Sequence, residues 1–152
     1  MKIKKSERGQ SLVELAISLV VLLYLLSGVV EFGIAFFQFI QLRDAAQEGA
    51  LYGSIHPPAT TASNDANRVA IINRVRGASS SPIDLAVTSG ERAVTVTVTV
   101  TGAACAGGGL RVDVAFTHHI FMPFIPALIG TNTIPLTGSV TDTILQPACP
   151  LP

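Results

Sequence analysis

Few side chains in this chain of 152 residues have a spacing that suits chemistry. His118 and His119 are adjacent, and neighbouring residues of a strand face opposite sides of a sheet, so the two cannot chelate one metal together. The glycines before Leu110 (AGGGLR) lack the Gly-Lys-Ser/Thr ending with which a P-loop holds phosphate, so they indicate a turn. The sequence contains no Gly-x-Ser-x-Gly elbow for a nucleophilic serine. It therefore predicts neither an enzyme nor a bound metal or cofactor.

The only two cysteines are Cys105 and Cys149. An even pair exported to an oxidising compartment indicates one disulfide, which would tie the glycine-rich loop around Cys105 to the C-terminal tail. Closing a loop of about 45 residues contributes about 4 kcal/mol in the chain-entropy model. Two free thiols are the alternative, and labelling of both by iodoacetamide in unfolded, unreduced protein would reveal them.

The charge balance argues against a nucleic-acid partner. Ten basic and ten acidic side chains give a formal net charge of zero at pH 7, whereas nucleic-acid binding needs a basic face that releases counterions from phosphates. Only 13% of the residues are charged and 49% are hydrophobic, the reverse of a disordered composition. The length corresponds to one domain at most.

The longest apolar stretch lies near the N-terminus. Residues 15–30 (LAISLVVLLYLLSGVV) carry no charge, and after Glu31 the apolar character resumes up to Arg43. Sixteen residues of helix span about 24 Å, less than the ~30 Å hydrocarbon core, so a membrane span must recruit residues at either end. We expect a single transmembrane helix. Basic residues precede it, so the positive-inside bias places residues 1–9 in the cytoplasm and the chain beyond about Arg43 outside.

A cleaved secretory signal is the alternative interpretation of this segment. Small residues such as Gly33 and Ala35 have the spacing that signal peptidase prefers, and a cut there would leave a start near Phe36. The apolar segment would, however, be longer than the ~7 to 15 residues typical of signals, and Glu31 would lie just before the cut. We therefore favour a retained span.

A short motif precedes the apolar run. Residues 8–14 read RGQSLVE, in which Gly9 ends the basic leader and the acid Glu14 follows five positions later. This pattern resembles the N-terminus of type IV prepilin-like proteins. RGQSLVELA followed by VVEFG resembles the TadE-like family, the minor pilins or pseudopilins of tight-adherence (Tad, or Flp) pilus systems. The resemblance covers residues 8 to about 36.

The resemblance implies a structural subunit or assembly factor of such a pilus. A prepilin peptidase would cut after Gly9 and leave a mature chain that begins at Gln10. The implied partners are that peptidase, other pilin and pseudopilin subunits, the membrane and an inner-membrane pilus secretion platform. The implied location is a bacterial inner membrane, with a periplasmic or extracellular head that could enter a surface pilus. Besides the cut, the residues implicated in assembly or recognition are Glu14, Glu31, Phe32 and Gly33.

The two acids of the apolar segment have separate interpretations. A carboxylate at the edge of hydrocarbon is costly unless it is paired, and cleavage after Gly9 would create a positive α-amino group close to Glu14. The resemblance implies that Glu14 pairs with the new N-terminus of a neighbour. A capping box between Ser11 and Glu14 is the alternative, and the two are compatible. Glu31 is either functional, as acids within membrane segments are by default, or simply hydrated near the outer interface.

Beyond the span, the helical periodicity continues to about Tyr52. Pro57 and Pro58 then stop the helix. Packing of its outer half within the chain is favoured over a subunit contact. The helix presents one stripe of small and apolar residues opposite a polar face. The stripe is Ala35, Phe39, Leu42, Ala46, Gly49 and Gly53, and the polar face is Gln41, Asp44 and Glu48.

The remaining sequence predicts an α+β head. The expected division is a leader at 1–9, a transmembrane and assembly helix at 10–53 and an exported head at 54–152. A short helix is expected at 65–76, with Asn64 or Asp65 as its N-cap. Its apolar face would contain Ala66, Val69 and Ile72. Period-two alternation predicts about four antiparallel strands, at 83–88, 93–101, 110–116 and 134–144, with the threonine face of the second the wetter one.

Between the last two strands lies an apolar loop, 120–130 (IFMPFIPALIG), which is too short to cross a bilayer. We favour a loop that closes the core over the edge of the sheet. An exposed patch that docks on a neighbouring subunit or on the membrane surface is the alternative.

Two other functions remain open from the sequence. One is a membrane-tethered extracytoplasmic binding module with the helix as its anchor, and the other is a pseudopilin of a type II secretion system. Replacement of Glu14 by Ala would separate a pilus subunit, whose assembly should fail, from a tethered binder, which would keep its ligand and location.

Overall fold

The structure, a computed structural model, describes residues 8–149. The predicted α+β class is confirmed, although the antiparallel sheet within these residues has three strands rather than four. Most of the basic leader, residues 1–7, lies outside the described residues. The elements in chain order are α1 (Arg8–Ile55), α2 (Ala66–Gly77), β1 (Thr95–Thr101), β2 (Gly109–His119), α3 (Ile125–Ile129) and β3 (Thr133–Thr143).

Helix α1 has 48 residues and is therefore about 72 Å long. It divides into two halves with different surroundings. Every residue from 9 to 26 is exposed, whereas Leu42, Ala46 and Ala50 are completely buried under the head. The predicted stripe on the outer half is thus confirmed as core packing within the chain. The helix is long and apolar enough to cross a membrane, which is compatible with a single-pass protein.

The sheet packs its valine face against α1. The strand order is β1-β2-β3, and the register aligns Val98 with Val112 and Val112 with Val140. The threonines of β1 are exposed, as predicted. Strand β3 lies close to the helix at Gly138, where an added Cβ would lie 2.6 Å from the carbonyl carbon of Leu42. Glycine is required there because the backbones of helix and strand nearly touch.

The prediction of a strand at 83–88 is wrong. This segment joins α2 to β1 without pairing to the sheet, although Ile83 and Leu85 are buried. The side chain of Gln41 forms hydrogen bonds with both backbone groups of Ile83. Its Nε2 donates to the carbonyl oxygen at 2.7 Å, and its Oε1 accepts from the amide at 3.0 Å. Gln41, which the sequence places on the polar face of α1, is therefore buried, since an amide with two backbone partners can be buried.

Helix α2 begins where the sequence predicts. The Asp65 carboxylate accepts from the backbone amides of Asn67 and Arg68, as an N-cap does. These bonds, that of Arg68 first, hold the pKa of Asp65 below its usual value. The predicted apolar face is wrong, because Ile71 and Val75 are the buried pair while Val69 is 41% exposed.

Candidate functional site

Glu31 lies where the exposed half of α1 meets the head, and it is buried against β2. Only 4% of this residue is exposed, and its Oε1 lies 2.6 Å from Nε2 of His118, which is itself 1% exposed. A charged or strongly polar pair in such a place must be satisfied by its surroundings, because desolvation penalises each unpaired group. The interpretation of Glu31 as simply hydrated is therefore wrong.

Two backbone amides complete the surroundings of this carboxylate. The amide of Phe121 donates to both carboxylate oxygens at 3.1 Å, and the amide of Met122 donates to Oε2 at 2.9 Å. The chain turns away from the sheet after His119, so these amides have no strand partner. We call Glu31, His118 and the amides of Phe121 and Met122 the Glu31 clasp. It fixes the connection between β2 and β3 to the middle of α1.

The neighbours of Glu31 in the motif point elsewhere. Phe32 is 70% exposed and stacks on Phe36, with ring centroids 5.9 Å apart. Gly33 is exposed, and a Cβ added there would have no neighbour within 4 Å. Of the three residues in this motif that the resemblance implicates, the structure therefore brings only Glu31 into the head.

The residues implicated in processing lie at the other end of α1. Gly9 and Gln10 are exposed and helical, and Glu14 is exposed one turn further on. Seventeen residues separate Glu14 from Glu31, so these acids are about 26 Å apart along the helix and form two independent sites. Since the full-length helix already includes Gly9 and Gln10, Ser11 is inside it and is not an N-cap.

The two cysteines lie at disulfide-bonding distance, with their Cα atoms 5.0 Å apart. Backbone bonds hold both segments in place: Ala106 donates to Pro147 at 2.8 Å, and Leu145 donates to Ser54 at 2.7 Å. The C-terminal tail is thereby attached to the glycine-rich loop and to the end of α1.

The apolar loop at 120–130 does not close the core over the sheet edge, so the favoured prediction is wrong. It contains α3 and lies beside α1, where the rings of Phe124 and Tyr24 are 5.3 Å apart. Its side chains are largely exposed, Leu128 by 75%. A signal for α3 was present in the sequence: Pro126 suits the first turn of a helix, and Gly130, with φ of 74°, ends it in the left-handed conformation.

The described residues offer no evident reaction centre. Within 8–149, no group of three or more His, Cys, Asp or Glu side chains is placed to hold a metal ion. His118 and His119 do face opposite sides of β2, one buried and the other exposed. In the Glu31 clasp, one imidazole and two backbone amides bind one carboxylate.

Comparison with known proteins gives one match, which lies on α1. The family model described as TadE-like protein matches residues 9–51, which confirms the resemblance and covers nearly all of α1. No curated protein and no solved structure matches the chain.

Proposed function

We propose that this chain, whose first helix matches the TadE-like family, is a non-catalytic minor pilin or pseudopilin of a tight-adherence, type IV-like pilus. The family match associates the chain with pilus components and the membrane. A prepilin peptidase cuts the chain after Gly9, and the mature protein is anchored and assembled through α1. Its N-terminus is cytoplasmic before assembly, and the head lies outside the inner membrane.

The observation that carries the proposal is the division of α1. Its first half exposes apolar side chains all around, as a helix does when lipid or other helices surround it. Its second half is packed under a compact head. One continuous element can therefore connect membrane, neighbouring subunits and head without a hinge.

The exposed apolar surface of α1 is longer than a bilayer needs. Large exposed side chains run from Leu12 to Ile40, about 43 Å of helix, against ~30 Å of hydrocarbon. Phe36 and Phe37, which are 52% and 60% exposed, lie in the excess. A helix from another pilin or pseudopilin subunit, or from the secretion platform, would cover such a surface.

The Glu31 clasp argues against removal of α1 as a secretion signal. A cut near Phe36 would separate Glu31 from the head and would leave His118 and the amides of Phe121 and Met122 without their acceptor. Unpaired buried polar groups cost about 1–3 kcal/mol each. A head that depends on residue 31 supports a mature chain that keeps its helix.

The first experiment measures the intact mass and the N-terminus of the protein produced with and without its prepilin peptidase. We expect a start at Gln10 that requires the enzyme. Gly9→Val should block the cut, whereas Gly33→Val, the matched change at an exposed glycine of the same helix, should not. An uncut chain would support a plain anchor, and a start near Phe36 would support a secretion signal; either would overturn the proposal.

A second experiment separates an assembly role from a tethered binding module. Glu14→Gln should leave processing and membrane insertion intact but abolish entry into filaments. Glu48→Gln serves as the control, since Glu48 is a partly exposed acid of the same helix, paired with Arg74 at 2.9 Å. Normal assembly of the Glu14 variant would refute the role proposed for that residue.

A further inference from the structure

We infer that the segment between β2 and β3 is a lipid-binding shelf that inserts into the outer leaflet of the membrane beside α1. The shelf consists of Phe121, Phe124, Leu128 and Ile129, whose exposed fractions are 71%, 47%, 75% and 48%. The inference goes beyond the proposed pilus role and rests on only one part of it, the membrane anchoring of α1.

The composition of the shelf calls for an apolar partner. Residues 120–130 contain no charged side chain, and four large apolar side chains within nine residues point away from the core. Soluble surfaces seldom expose contiguous apolar patches of this kind without a partner. The shelf is also held firmly, because the Glu31 clasp fixes its first residues and Phe124 packs on Tyr24.

Its position along α1 identifies that partner as lipid. Phe124 contacts Tyr24, and Ile125 lies 3.9 Å from the place where a Cβ of Gly28 would be. Both helix residues belong to the uncharged run that would lie in the bilayer. Residues 12–30 span about 28 Å, close to the ~30 Å hydrocarbon core, and Tyr24 lies about 10 Å before Glu31. The shelf therefore begins at the head and descends alongside the last turns of the span.

An apolar groove lies between the shelf and α1. Its volume is about 400 Å³, and its walls include Gly28, Phe32 and Ala35 of the helix and Ile125 and Ile129 of the shelf segment. A lipid acyl chain matches its chemistry.

Several backbone amides of the segment are already hydrogen-bonded or absent, which favours its transfer from water into lipid. Unpaired amides are the main obstacle to placing a non-helical loop in lipid. Here five amides of the segment have acceptors in the backbone or in the Glu31 carboxylate, and two positions are prolines, which have no N–H. The amides with acceptors are those of Ile120, Phe121, Met122, Ile125 and Gly130, and the prolines are Pro123 and Pro126.

Tryptophan fluorescence tests the shelf, because the chain contains no tryptophan of its own. The full chain carrying Leu128→Trp would be reconstituted into phosphatidylcholine and phosphatidylglycerol vesicles with and without acyl-chain bromination. Leu145→Trp is the matched control, an exposed leucine (63%) at the far end of the head, and Leu25→Trp (67% exposed) is the reference within the span. Phe121→Trp is a second shelf probe that keeps the backbone bond to Glu31.

We expect Leu128→Trp and Phe121→Trp to emit at shorter wavelength than Leu145→Trp and to lose emission to brominated chains as Leu25→Trp does. If Leu25→Trp is quenched but neither shelf probe is quenched more than Leu145→Trp, the shelf proposal is refuted and the membrane anchoring of α1 stands. Blue-shifted shelf probes that bromine does not quench would show a protein partner, such as a second copy, and would also overturn it. An unquenched Leu25→Trp would overturn both the shelf and the membrane anchoring.

Discussion

Removal of the Glu31 carboxylate should release the β2–β3 connection from α1. Glu31→Ala leaves His118 and the amides of Phe121 and Met122 without an acceptor in a site that is only 4% exposed. Breaking a buried pair by removing one partner costs about 3–5 kcal/mol, and each amide left unpaired costs about 1–3 kcal/mol unless water reaches it. Because opening of the loop would admit water, we expect a total near the lower end, about 3 kcal/mol.

Glu48→Ala is the matched control, because both residues are glutamates of α1 that face a basic side chain of the head. The Glu48 pair with Arg74 is 41% and 59% exposed, and exposed pairs contribute about 0–1 kcal/mol. Urea unfolding of the full chain in detergent micelles measures the difference between the variants. Hydrogen exchange, followed by mass spectrometry, should show that the amides at 121 and 122 lose more than about a hundredfold of their protection, since 1.4 kcal/mol is tenfold. Equal unfolding free energies for the two variants, with unchanged exchange at 121 and 122, would refute the reasoning.

Three further changes test the head. Gly138→Ala should destabilise it by about 1–3 kcal/mol in urea unfolding, because the new methyl meets helix backbone that cannot move aside; Gly77→Ala, at an open position, should not. The lowered pKa of Asp65 means that its stabilisation is complete above its unfolded pKa and is lost as pH falls through the folded value. The advantage of wild type over Asp65→Asn should therefore shrink between about pH 5 and pH 3, and a constant difference would contradict the cap. Non-reducing peptide mapping should recover Cys105 linked to Cys149, and reduction should lower the thermal midpoint.

The elements that the sequence predicts well are those in which periodicity and tertiary packing agree. Val98 and Val112 are buried and the threonines of β1 are exposed, because alternation in these strands coincides with a real sheet face. The segment at 83–88 shows the same alternation and the same burial at Ile83 and Leu85, yet Gln41 occupies the backbone groups that a fourth strand would need. Alternation reports which side chains are buried; it does not report what the backbone pairs with.

The Glu31 clasp is hard to recognise from the sequence because it joins residues 87 positions apart. Two clues were nevertheless present. Glu31 interrupts an apolar run. His118 alternates in step with Leu110, Val112 and Val114, so it lies on the buried face of β2. Each is an ionisable group on a face that should be apolar. Because burial of either ionisable group alone is costly, the presence of both in one small chain suggests that they pair with each other.

One side chain and two backbone amides hold the Glu31 carboxylate, and substitutions can test the two kinds of contact separately. His118 supplies the 2.6 Å contact, but Phe121 and Met122 bind through groups that any residue other than proline carries. The path of the loop should therefore depend on Glu31 more than on His118. In His118→Gln, hydrogen exchange at 121 and 122 should stay close to wild type, whereas in Glu31→Ala it should become fast. If both variants lost protection at these amides equally, the imidazole would be the group that positions Glu31, and the amide bonds would only follow from it.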